Sequence, residues 1–203
     1  PFFLYLSYYS VHTPIQAKSE ITDRYRDKAP ADGHANPTYA AMLESLDDGV
    51  GRILDALERL DLAEKTVVIF ASDNGGFGPV TSMAPLRGSK GMLYEGGIRT
   101  PFIVRWPGHI EAGSISSEAV TGVDIFPTFA ELAGAPLPSG QPSDGASLVP
   151  ALTGSGESAA RDLMWHFPAY LEADRSVPGT WRTAPVSALR RGRHKVIHFF
   201  EDD

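Results

Sequence analysis

Within one stretch, Thr66–Pro101, three kinds of chemistry-bearing residue follow one another: Asp73-Asn74, then Lys90, then Glu95 with Arg99. Asp73 and Asn74 offer one charged and one neutral oxygen, the donor type that Ca2+ and Mg2+ take. The neutral amide keeps such a site from becoming so anionic that it repels an anionic substrate. Lys90 stands between Gly88 and Gly91, where its ammonium can meet a sulfuryl or phosphoryl oxygen. His12, in Val11-His12-Thr13-Pro14, is a further candidate for donating a proton or binding an oxyanion. Each of these also has a plainer account. Asp-Asn-Gly is ordinary turn sequence, a lone histidine is commonly packed or on the surface, and one glycine-flanked lysine is a weak signal. Glu95 with Arg99 reads as a buried structural ion pair. His166, in Trp165-His166-Phe167-Pro168, lies in an aromatic loop that can line a pocket or simply pack. Arg190, Arg191, Arg193, His194 and Lys195 form a basic cluster that a solvated hairpin turn explains.

Elements must hold these residues in place. Thr66-Val67-Val68-Ile69-Phe70 is a β-branched, apolar run, short enough for a buried strand, and it delivers Asp73 and Asn74 at its carboxyl end. In α/β proteins that end of a parallel strand is where ligands bind. The opening run Pro1–Tyr8 is continuously apolar and predicts a strand buried on both faces, with His12 near its end. Between the two, apolar residues from Tyr39 to Leu60 recur at threes and fours, which predicts an amphipathic helix from Thr38 to about Leu60. Gly49 and Gly51 weaken it locally and imply close packing on a neighbour. Strand, helix, strand predicts a right-handed βαβ unit. Further on, Phe102–Trp106 predicts a strand and Ile125–Leu132 a helix with Pro127 in its first turn. Residues 134–147 are rich in Gly, Pro and Ser and read as a linker, followed by a short apolar turn at Leu148–Leu152. Ser187–Phe200 predicts a hairpin that bends near Arg191-Gly192.

The 203 residues and 42% hydrophobic content allow a substantial core. A net charge of -7 argues against nucleic-acid binding by bulk electrostatics. No apolar run approaches the roughly 20 residues that span a bilayer. Without cysteine there are no disulfides and no thiolate chemistry. The chain opens inside a strand-like run, with no Met, so an upstream portion is expected.

Taken in order, YLSYYSVHTP, SDNGG, LRGSKGMLYEGGIRTPFIVRWPG, TGVDIFPTFAELAG and DGASLVPALTG resemble the sulfatase family of the alkaline-phosphatase superfamily. The closing ALRRGRHKVIHFFED resembles the start of that family's small C-terminal subdomain. The resemblance implies an α/β sandwich with a mixed, mainly parallel sheet flanked by helices. It places the catalytic α/β domain in residues 1–152, and the linker and first part of the antiparallel subdomain in residues 153–203. It also implies hydrolysis of an aryl or carbohydrate sulfate ester, with a divalent cation, Ca2+ or Mg2+, and a formylglycine nucleophile. On the matching positions Asp73 and Asn74 are metal ligands, and His12 and Lys90 bind the sulfate and assist the leaving oxygen. His166 is a substrate contact, and the setting is periplasmic or secreted.

The departures are equally informative. No Cys or Ser stands in a C/S-x-P-S-R motif, and the family's upstream Asp-Asp pair is absent. The expectation is half an active site, inactive alone, completed by a missing N-terminal portion or by an oligomer mate. Two alternatives stand beside it. One is a phosphonate monoester hydrolase or phosphodiesterase of the same superfamily. The other is a non-catalytic module that binds sulfated glycans or a partner.

Overall fold

The computed structural model describes residues 1–156, 161–173 and 181–201. Two compact units emerge, one of Pro1–Ala63 with Asn74–Thr100, the other of Glu64–Asp73 with Pro101–Asp203.

In the first unit, α1 (Ser19–Arg26) packs on α2 (Pro37–Arg59), with Ile21, Ala41, Met42 and Leu57 buried. The α2 start is written in the sequence: the Asn36 side chain accepts the Tyr39 N–H at 2.9 Å, and Pro37 fills the first helical position. Gly49 is close-packed as anticipated, since a Cβ there would lie 2.6 Å from the Tyr8 hydroxyl. Gly51 is not, having nothing within 4 Å. A short helix, α3 (Glu95–Ile98), ends the unit's second segment.

The opening run differs from expectation. Residues 1–9 form no strand and are exposed, Phe3 by 71% and Tyr5 by 81%. A strand needs a ladder of backbone hydrogen bonds to a neighbour, and this run joins none of the sheets among the described residues. Strand-like alternation persists all the same: Phe2, Leu4, Leu6 and Tyr8 line a groove against the C-terminal half of α2.

In the second unit, β1 (Val68–Ala71) and β2 (Phe102–Arg105) pair antiparallel, Ile69 opposite Val104. All described strand pairs are antiparallel, so the expected parallel βαβ pairing is absent from the described residues. An apolar run signals a strand without giving its direction, and the opening run that was to be its parallel partner joins no sheet among the described residues. The α4 helix (Ile125–Leu132) occupies the predicted range, and the apolar turn after the linker is a short helix, α5 (Val149–Thr153), closed by Gly154 at φ +68°. A three-stranded meander follows in the order β3 (Asp162–Phe167), β6 (Val186–Arg191), β7 (His194–Phe199); β4 (Leu171–Ala173) pairs with β5 (Trp181–Thr183). Arg191 stands opposite His194, so the β6–β7 bend falls where the sequence placed it. Leu163, Val186 and Ala188 are buried on one face of the meander.

One buried charge ties the second unit together. Asp124 is fully buried and accepts hydrogen bonds from Thr121 N at 2.7 Å, Ala146 N at 3.0 Å and the Arg161 guanidinium. Arg161 also donates to the Asp144 carbonyl at 3.0 Å, and the Thr128 hydroxyl accepts from Leu148 N at 2.9 Å. The end of the presumed linker is therefore a packed element. Burial alone would push the Asp124 carboxyl up, but the bonds from Arg161, Ala146 and Thr121 outweigh it and hold the group below the usual carboxylate range. The folded value being the lower one, this contribution is present above the unfolded carboxylate value of about 3.9 and is lost as pH falls through the folded value. Asp124→Asn should cost about 3 kcal/mol at neutral pH, because it strands Arg161 among groups built for a charge, and should flatten the acid limb. Urea unfolding across pH measures both; a variant as stable as the parent at neutral pH would contradict this account.

Candidate active site

At the end of β1 the backbone stays paired for one more residue, Ser72 N donating to Pro101 O at 3.4 Å, and then releases Asp73-Asn74-Gly75-Gly76. Past this point backbone stacks directly on backbone. Gly75 N donates to Gly97 O at 2.9 Å, Gly96 N to Arg87 O at 2.8 Å, and Lys90 N to Gly76 O at 2.9 Å. The approach is so close that only glycine fits. A Cβ at Gly75 would lie 1.8 Å from Gly96 O, one at Gly96 2.2 Å from Gly88 O, and one at Gly97 1.9 Å from Met92 O. Gly88 and Gly91 turn the lysine loop at φ +80° and +89°. The Arg87 guanidinium lies 4.0 Å from the centroid of the Tyr94 ring, closing the outside of the frame.

This stack brings Asn74 and Lys90, half-buried both, onto one rigid assembly, with Asp73 directly before Asn74 and exposed. His12 belongs to the same unit as Asn74 and Lys90, but its exposed ring is held by its own turn. Its Nδ1 lies 3.0 Å from the Thr13 carbonyl and its ring is edge-on to Tyr9 at 5.6 Å. Donation of Nδ1–H to that carbonyl fixes the tautomer and leaves Nε2 to take or give a proton. His166 lies in the second unit, on β3 and not in a loop, opposite Ser187, whose hydroxyl is 2.7 Å from its Nδ1. The reason is a strand of alternating faces, with Leu163 buried and Met164 and His166 exposed on the other side. Arg99 is exposed and Glu95 half-buried, so this end of the frame is open to solvent; Glu95 opens α3, Arg99 follows it, and Gly96 and Gly97 between them are what is buried.

Among the described residues no three His, Cys, Asp or Glu side chains converge as a metal cluster. Asp73 and Asn74 still fit a hard cation as part of a donor set, two of the six to eight oxygens that Ca2+ takes. One feature escaped the sequence reading: the turn Ala31–His34 reaches the loop after Gly76, His34 Nδ1 lying 3.0 Å from Thr81 Oγ1. Its signal was the Asp32-Gly33 turn pair, both at positive φ.

The sulfatase family model matches residues 1–135, and the model for the N-sulphoglucosamine sulphohydrolase C-terminal region matches residues 89–203. A sulfatase of Formosa agariphila is 43% identical across 100% of the chain, and human arylsulfatase A is 36% identical across 98%. Mouse steryl-sulfatase is 38% identical across 86%. Those alignments cover only 39%, 36% and 28% of the respective relatives, so the chain spans about a third of their length. Among solved structures, Ps i-CgsB in complex with k-i-k-neocarrahexaose superposes on the whole chain with a TM-score of 0.80 at 32% identity, over 42% of its own length. BT4656 in complex with D-glucosamine-2-N,6-O-disulfate covers 94% of the chain with a TM-score of 0.65 at 28% identity, over 35% of its own length. These matches establish an alkaline-phosphatase-like α/β fold, and the chain belongs to the sulfatase family.

Proposed function

We propose that this chain forms the C-terminal portion of a sulfate-ester hydrolase and supplies one half of its active site. The observation that carries the reading is the locked glycine frame, in which Lys90 N on Gly76 O at 2.9 Å fixes the lysine loop against the segment that carries Asn74. Asp73 and Asn74 would hold a divalent cation, Ca2+ or Mg2+, through one carboxylate and one carboxamide oxygen. Bound there, the cation supplies charge neutralisation at the sulfate oxygens, and a formylglycine carried by an N-terminal portion supplies the nucleophile. The Lys90 ammonium, on a fixed backbone, meets charge that grows on the sulfuryl and leaving oxygens. His12, with Nδ1–H donated to Thr13 O, delivers the Nε2 proton of its imidazolium form to the leaving oxygen and is left as the neutral Nδ1–H tautomer. The substrate class is an aryl or carbohydrate sulfate, in line with the steryl- and arylsulfatases among the relatives and the sulfated sugar bound to BT4656.

A second reading has an observation behind it. The phosphonate monoester hydrolase of Agrobacterium radiobacter covers 83% of the chain with a TM-score of 0.60 at 26% identity. One set of assays separates the readings. The 203-residue chain alone should leave nitrophenyl sulfate intact, and the complete enzyme should hydrolyse it, lose activity on chelation and regain it with Ca2+. Metal-dependent sulfatase activity from the chain alone would overturn the division of the site. Preference of the complete enzyme for a phosphonate ester would favour the second reading.

A further inference from the structure

The glycine frame has a further neighbour from a distant part of the chain. Ala31 and His34 exchange backbone hydrogen bonds at 3.2 and 2.8 Å, closing a turn whose Gly33 is at φ +81°. A Cβ on Gly33 would lie 2.7 Å from Ser82 Cβ, so the turn sits directly on the loop after Gly76. That loop is pressed onto Gly76 in turn: a Cβ there would meet Thr81 Cγ2 at 2.5 Å and Met83 Sδ at 2.9 Å. Gly76 O accepts from Lys90 N at 2.9 Å. Three successive contacts thus connect His34 to the lysine frame, all within one compact unit.

The His34 ring has one nitrogen tied and one open. Nδ1 lies 3.0 Å from Thr81 Oγ1, the ring is exposed, and Nε2 makes no hydrogen bond among the described residues. We propose that His34 contacts the sugar ring of a carbohydrate sulfate through Nε2, which makes it a specificity residue for saccharide over aryl esters. This rests on the sulfate-ester reading above. If the Thr81 hydroxyl donates to Nδ1, Nε2 carries the proton and donates to a sugar oxygen. If Nδ1–H donates to Thr81, Nε2 accepts from a sugar hydroxyl. A saccharide ring offers both partners and an aryl group offers neither.

The test compares phenyl sulfate, whose ring carries no further polar group, with sulfated glucosamine and sulfated galactose on the complete enzyme. For His34→Ala, kcat/KM on the best sulfated sugar should fall about three- to tenfold, the worth of one hydrogen bond, against less than twofold on the aryl ester. His34→Gln keeps a polar nitrogen in place and should restore part of the loss, and also guards against a misfolded alanine variant. Equal losses on both substrates, or none on either, would overturn the inference, as would a parent enzyme that cleaves the aryl ester and neither sugar. A parent that cleaves no sulfate ester would instead sink the sulfatase reading itself.

Discussion

Alanine at Gly97 should abolish the folded glycine frame, at a cost of about 3 kcal/mol or more. Overpacking a core commonly costs about 1–3 kcal/mol because side chains can shift. Here the added carbon would lie 1.9 Å from Met92 O and 2.6 Å from Ser89 O, which are backbone atoms held in a hydrogen-bonded loop. Neither can rotate away, so relief requires parting Gly75 N from Gly97 O and Gly97 N from Tyr94 O, both at 2.9 Å. Gly75→Ala should behave alike, with Gly96 O at 1.8 Å. Gly51→Ala is the control: it sits inside α2 with nothing within 4 Å, and alanine there should stabilise by about 0.5–1 kcal/mol through helix propensity. Soluble yield and thermal unfolding of the three variants decide the matter. A Gly97→Ala protein that melts with the parent would show that the frame is not rigid.

Sequence told most where a contact is local. The Tyr39-to-Leu60 periodicity and the Asn36-Pro37 cap lie within α2 itself, and its observed range Pro37–Arg59 departs from expectation by one residue at each end. Pro127 similarly announced the first turn of α4. The opening run failed because strand identity is conferred by neighbours: it joins no sheet among the described residues, and its period-two apolarity survives as side chains facing α2. Strand direction at β1 was illegible for the same reason. His166 was misplaced because Met164, an apolar residue 74% exposed on the outer face, hides the alternation of β3.

The site divides in the same way. Clustered glycines at 75–76, 88–91 and 96–97 announced tight backbone, and Asp73, Asn74 and Lys90 stand among or beside them in the sequence. Which glycine meets which could not be read, because Gly75 N on Gly97 O and Lys90 N on Gly76 O join distant positions. The His34–Thr81 contact, across 47 residues, carries no mark in either segment beyond a turn.

Lys90→Met in the complete enzyme should lower kcat about 100- to 1,000-fold while leaving the melting temperature within a degree or two of the parent. The stability half of this rests on the bonds that hold the loop. Lys90 contributes its N–H to Gly76 O, and any residue but proline supplies that. The activity half rests on electrostatics: losing one preorganised group aimed at developing charge commonly costs about 100- to 1,000-fold. Lys90→Arg should rescue little, because a planar guanidinium on a longer stem does not put its charge where a compact ammonium sat. Turnover of nitrophenyl sulfate, with thermal unfolding alongside, tests both halves. A loss under threefold with an intact fold would remove Lys90 from the chemistry and leave the glycine frame a scaffold for Asp73 and Asn74 alone. A large loss with a lowered melting temperature would mean that the side chain supports the frame, and the Gly97→Ala result would then show how much of the activity depends on that support.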